Sequence, residues 1–475
     1  MNPKLRISLF ILGLLTLLGI GILFIPRALG LYYQIKGGQL LQDVLKSLED
    51  LPDLGLTCDA LPPDRKALRM KLEQAVIKLN KAHNYDDRNS QAYLYLGHSA
   101  CLLGEPANAK GYYLTYTQLR PANPLGYLGL GFAEEALGDH LSAVKEWQAA
   151  GLTAEDFLEA GDEAYQANRY EQALSWYKRS SWIAPTRATA WFNLGQVYEQ
   201  LGQPESALEA YQEAWKFDPE LSTMFLVTSL KRRGDFKEME NVLREALGIV
   251  PESGERLGWW RALGDALRLQ EQWDAAVEVY QDAIQQFPNE PDLYISLGWI
   301  YYDRGDGARP AQREFNRAIN LKKDAPEGYF ALAQLFSREK QFQEADGYFL
   351  RALERAPNNR WYYLARGDNA RLASDFNRAQ EIYEKTIARF PNFHIAYYQL
   401  ALIYRSLGRY DDAVGAIERA VELMDPPVDS YFARAGEIYR GAGLREKAVK
   451  AYRQALILNP DNKVAQKGLQ LLGEN

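Results

Sequence analysis

Arg371, Arg405 and Arg440 stand 34 and 35 residues apart, and this near-equal spacing is the chain's main offer of chemistry. A guanidinium is a planar fork of donors that meets carboxylates and phosphates in pairs, so a column of them suits an anionic peptide or an acidic glycan. Trp299, Tyr302, Trp361 and Tyr398 fall in the same stretch. They supply the rigid aromatic area that binding grooves use. Plain packing and pairing compete with this reading. Asp368 and Glu437 stand three residues before Arg371 and Arg440, where a helical ion pair is worth about 0.2–0.5 kcal/mol. Arg405 follows Leu402 instead, so it is expected to lack such a partner.

Signs of catalysis are absent. The four histidines, His83, His98, His140 and His394, have no metal-ligand spacing. There is no phosphate-cradling GxxxxGK[ST] loop and no GxSxG. Gly30 to Pro63 is too short to build a separate catalytic domain. The expectation is a protein that is not an enzyme and uses no metal or cofactor.

The arginines belong to a pattern that runs from about Gln91 to Pro460. A small residue is followed by Ala twelve later, an aromatic sixteen later and Pro twenty-four later. Gly195, Ala207, Tyr211 and Pro219 make one such set; Gly161, Ala173, Tyr177 and Pro185 another; Gly367, Ala379, Tyr383 and Pro391 a third. The small anchors fall at Gly97, Gly131, Gly161, Gly195, Val227, Gly264, Gly298, Ala333, Gly367, Ala401 and Gly436. Each unit carries two apolar stripes at helical spacing, as in Trp191, Leu194, Gly195 and Tyr198, then Ala207, Leu208, Tyr211 and Ala214. No unit can bury both stripes alone, so neighbours must stack.

This pattern resembles the tetratricopeptide repeat, with Trp191-Phe192-Asn193-Leu194-Gly195-Gln196-Val197-Tyr198 close to its first helix. The resemblance implies an all-α, right-handed solenoid of about eleven helix-turn-helix units. It also implies a concave groove lined by the first helix of each, with residues one, four and five past the anchor pointing in. A protein or peptide is the expected ligand in that groove, and an acidic glycan of envelope or exopolysaccharide machinery the alternative. The expected partner-binding residues are Trp299, Tyr302, Trp361, Arg371, Tyr398, Arg405 and Arg440.

Three units are irregular. The second has Glu155 where a closing Pro is expected, the fifth has Met239 and Leu243 for Ala and an aromatic, and the seventh has an extra residue near Gly305 to Pro310. The longest spacing contains Pro251-Glu252-Ser253-Gly254, where a bend or a tolerated insertion is expected. Asp64 to His83 reads as a lone capping helix, within a cap at 64–90. Lys463 to Leu472 reads as a terminal helix, within a cap at 461–475, with Val464, Leu469 and Leu472 facing in.

Ile7 to Ile25 is nineteen residues without a charge, about 28 Å as a helix and close to the thickness of a bilayer core. Its Leu, Ile and Phe residues favour insertion by roughly 4–8 kcal/mol before the glycines are set against them. The expectation is an uncleaved single-pass anchor at 1–30, in the membrane through residues 5–29, and a linker at 31–63. Lys4, Arg6 and the amino terminus lean the orientation slightly toward a cytoplasmic N-terminus and repeats outside the cytoplasm. The whole chain carries −7, which argues against nucleic acid. Cys58 and Cys101, both near the start of the repeats, are a candidate disulfide outside the cytoplasm; two free thiols are the alternative.

Overall fold

Residues before prolines take extended backbone, because the ring's Cδ clashes with a helical neighbour. That rule sets the ends of seven helices in the computed structural model. Arg120, Ala184, Asp218, Phe287, Ala356, Phe390 and Asn459 each precede a Pro and each have φ between −127° and −147°. The structure describes residues 27–48, 57–58, 60–62, 64–251 and 253–474. Among them the chain is helical throughout and forms no strand.

The helices are α1 (27–46) and α2 (Lys66–Tyr85), followed by twenty-two that alternate as the first and second helix of a hairpin. They fall into two compact units, Met1–Asp235 and Phe236–Asn475. In the first, α3 (Ser90–Leu103), α4 (Pro106–Leu119), α5 (Pro124–Ala136), α6 (His140–Ala149), α7 (Ala154–Gln166), α8 (Tyr170–Ile183), α9 (Ala188–Gln200) and α10 (Pro204–Phe217) form four hairpins. The first helix of a fifth, α11 (Pro219–Arg233), ends this unit. In the second unit α12 (Phe236–Ile249) precedes six hairpins. Their first helices are α13 (Arg256–Leu269), α15 (Pro291–Arg304), α17 (Pro326–Arg338), α19 (Arg360–Leu372), α21 (His394–Ser406) and α23 (Asp429–Gly441). Their second helices are α14 (Trp273–Gln286), α16 (Ala308–Leu321), α18 (Phe342–Arg355), α20 (Phe376–Arg389), α22 (Tyr410–Leu423) and α24 (Arg445–Leu458), and α25 (Lys463–Leu471) ends the array.

The anchor glycines are explained by what faces them. A Cβ on Gly161, Gly195, Gly264 or Gly367 would lie 2.4 Å from the ring of Tyr177, Tyr211, Tyr280 or Tyr383. Where the anchor is Ala, the facing residue carries no hydroxyl: Ala333 shares a cluster with Phe349, and Ala401 with Ile417. Each pair keeps native packing density by trading volume across the hairpin.

The irregular units have local causes. Helix α6 is ten residues long and ends at Gly151 with φ 89°. Thr153 then opens α7 with a reciprocal capping box to Asp156. The shortened helix, not a missing element, accounts for the short spacing of the second unit. The stretch expected as a bend lies inside the second unit and is tied down. Arg256 donates to the Leu247 and Val250 carbonyls at 2.8 and 3.1 Å, satisfying the end of α12.

Both caps differ from expectation in detail. The stretch expected as a linker, 31–63, is helical to residue 46. Leu41 and Val44 of α1 are buried with Leu61, Leu72 and Leu102, and Gly37 and Gly38 let the helix approach Leu79 and Tyr95 closely. At the other end Val464 is exposed, and Ala465, Gly468 and Leu469 face in because Gly468 abuts Tyr452. Cys58 and Cys101 are joined by a disulfide with Cα atoms 4.4 Å apart, and Leu61 donates to the Leu102 carbonyl at 2.8 Å. The apolar run at Ile7–Ile25 lies outside the described residues. Among those described, no helix is long and apolar enough to cross a membrane.

Candidate functional site

The wall built by the first helices of the second unit carries ion pairs both within and between its helices. Asp265 sits 3.8 Å from Arg268, Asp303 of α15 lies 3.5 Å from Arg338 of α17, and Asp368 lies 3.4 Å from Arg371. Asp368 also accepts from the Tyr383 hydroxyl at 2.8 Å, so the residue after the anchor fixes the ring that the anchor admits. Tyr177 does the same with Asp162 at 2.6 Å.

Asp265, Arg268, Ser296, Trp299, Asp303 and Arg338 line a cleft of about 300 Å³. Trp299 is not a free platform there. It is half-buried against Phe315, with ring centroids 5.0 Å apart, and the Arg338 guanidinium lies 4.5 Å from its own centroid. Arg338 also flanks Tyr302, whose hydroxyl donates to Glu339 at 3.0 Å.

The C-terminal end is different in charge. Arg405, expected to lack a partner, donates to Glu437 of the next hairpin at 2.7 Å. The pair spans 32 residues, so helical spacing within one element could not reveal it. Arg434 donates to the same carboxylate oxygen. Glu437, expected to pair with Arg440, is thereby engaged by the other two arginines. Arg440 is exposed and lies beside the Tyr452 hydroxyl, as do Arg405 and Glu437. Two arginines thus converge on one carboxylate with a third alongside, leaving a local excess of positive charge. Tyr398 packs at a tilt against Tyr431 with centroids 4.3 Å apart, and burial pushes the Tyr431 hydroxyl up to about 12. Trp361 stands apart from this group, half exposed and edge-on to Phe393.

The sequence matches tetratricopeptide-repeat families in several stretches: residues 161–202 and 264–305 to one described as TPR repeat, and 188–221, 326–359, 364–426 and 429–462 to others described as tetratricopeptide repeat. The chain is a tetratricopeptide-repeat protein. Protein O-mannosyl-transferase TMTC1 of Homo sapiens is 27% identical over 221 residues, covering 45% of this chain and 24% of that one. A TPR repeat-containing protein of Methanocaldococcus jannaschii is 25% identical over 324 residues, covering 67% and 52%. The chain therefore spans about a quarter of the first relative and half of the second. Among solved structures, yeast Tom70 is 14% identical, covering 81% of this chain and 88% of that one, with a TM-score of 0.38.

In this tetratricopeptide array, the expected site residues divide into two groups. Tyr398 lies against Tyr431, Arg405 pairs with Glu437, and Arg440 lies alongside. Trp299 lines the cleft with Tyr302 packed beside it, and Arg371 is held by Asp368. The residues missed from the sequence are Arg338 and Arg434. Arg338 stands five past the anchor Ala333, a groove position whose column would have exposed it. Arg434 stands two before its anchor and carries no such signal.

Proposed function

We propose that this tetratricopeptide-repeat protein is a membrane-anchored scaffold with no catalysis of its own. In this reading Ile7–Ile25 spans the membrane, and the first-helix wall of the second unit receives an acidic segment of a protein partner. Tetratricopeptide repeats mediate protein–protein interactions, so the repeats themselves support a binding role. The observation that carries the rest is the sharing of one carboxylate, Glu437, by Arg405 and Arg434 with Arg440 alongside. An incoming carboxylate there meets guanidinium donors already oriented, next to the Tyr398–Tyr431 ring pair. Arg371, Tyr302, Trp299 and Trp361 extend the surface toward the cleft.

The test is titration of the full chain with fluorescent acidic peptides, their amide-neutralised counterparts and oligoglucuronate. Saturable binding of the acidic peptide alone supports the reading, and preference for the oligosaccharide favours an acidic-glycan subunit instead. In this reading the repeats lie outside the cytoplasm, toward which the charge balance around Ile7–Ile25 leans slightly. Protease added to cells with an opened outer envelope and a sealed inner membrane degrades them if that orientation holds. Protection until the inner membrane is opened reverses it.

A further inference from the structure

Helix α1 has two apolar faces, and only one of them is covered. Gly30, Gly37, Leu41 and Val44 pack inward, against α2 and its neighbours. The opposite stripe consists of Ala28, Leu31, Tyr32 and Ile35, at the i, i+3, i+4 and i+7 positions of one helical face. Leu31, Tyr32 and Ile35 are 53%, 54% and 48% exposed. On α2, Met70 and Ile77 are more exposed still, seven residues apart. Scattered exposed leucines need no explanation, but a continuous stripe on one short helix does.

Charge decides what fits it. The chain as a whole carries −7, yet α1 and α2 carry eight Lys and Arg against Asp43 and Glu73 alone. Arg27, Lys36, Lys66, Arg69, Lys71 and Lys81 are exposed. The cap is thus a basic, apolar-striped surface on an acidic protein, and α1 begins within two residues of the apolar run Ile7–Ile25. An apolar stripe with tyrosine, bordered by long cations, is the composition of a helix that lies in a bilayer interface. Its Lys and Arg heads reach the headgroups while their stems cover apolar surface. A second copy of the cap would instead bring like charges together.

We propose that helix α1 docks flat on an anionic lipid surface, with Leu31, Tyr32 and Ile35 at the interface and Arg27, Lys36 and Lys46 of the same helix reaching the headgroups. This rests on the reading that Ile7–Ile25 spans the membrane. It goes further, because docking makes helix α1 a fixed foot for the repeats.

The test uses the full chain in vesicles of phosphatidylcholine, with and without phosphatidylglycerol. A polarity-sensitive fluorophore is placed at Leu14→Cys or at Ile35→Cys and quenched by brominated lipid. Quenching at both positions, with that at Ile35 dependent on phosphatidylglycerol and reversed by salt, is the expected result. The Arg27→Ala/Lys36→Ala/Lys46→Ala variant should lower the docking constant about a hundredfold while leaving Leu14 quenched. Quenching at Leu14 with Ile35 in water overturns the docking and leaves the anchor standing. No quenching at either position overturns the anchor and the docking with it. Shielding of Ile35 that grows with protein density and ignores lipid charge assigns the stripe to a second copy, which also overturns the proposal.

Discussion

Replacing Gly367 by Ala tests the packing rule that organises every hairpin. The new Cβ would lie 2.4 Å from Tyr383 Cε1 and 2.8 Å from Cδ1 and Cζ. Tyr383 is fully buried, and its hydroxyl is held by Asp368 at 2.8 Å, so the ring cannot retreat without losing that bond. Overpacking of this kind costs about 1–3 kcal/mol, against a gain of roughly 0.5–1 kcal/mol from replacing a helical glycine. The net expectation is a loss of about 1–2 kcal/mol confined to α19 and α20, because each repeat contacts only its neighbours. Native-state hydrogen exchange reads this locally, where a single melting temperature would blur it. Tyr383→Phe on the same background should recover part of the loss. Without the hydroxyl the ring is free to shift, as Phe349 is opposite Ala333. A Gly367→Ala variant as protected as wild type in α19 and α20, or a double variant worse than the sum of the two singles, would refute the reasoning.

Three further expectations concern the site, the disulfide and pH. The Arg405→Ala/Arg434→Ala/Arg440→Ala variant should bind acidic peptide about ten- to a hundredfold more weakly with an unchanged helical signal, and equal titration curves would show the trio to be only a cross-link between hairpins. Cys58→Ser frees a loop closed over 43 residues, for which the chain-entropy model gives about 4 kcal/mol. Limited proteolysis should then cut near residues 57–62 while the second unit stays intact, and an unchanged cleavage pattern would count against the tether. Burial beside Tyr113 lowers His98 to about 4 from its ordinary value near 6.5. The unfolded chain therefore binds the extra proton between those values, and the first unit should lose stability as pH falls from about 6.5 to about 4. His98→Gln should flatten that part of the stability curve, and an unaltered slope would place the acid sensitivity elsewhere.

Repeat number, helix pairing and the anchor positions were legible in the sequence because each depends on local rules. Helical spacing, the restriction before Pro and the need for a small residue opposite a ring all act within one hairpin of some 34 residues. The extent of α1 was not legible, because a helix read alone shows neither Leu79 nor Tyr95 waiting beside Gly37 and Gly38. The partnership of Arg405 was hidden for the same reason. Within its own helix Leu402 stands where an acid would be, and its carboxylate arrives from the next hairpin only when the hairpins stack. Periodicity assigns a side chain to a face, but the charge left on that face is settled by which neighbours stacking brings within a few ångströms, and for this wall that moved the excess of positive charge from Arg405 alone to the three arginines around Glu437.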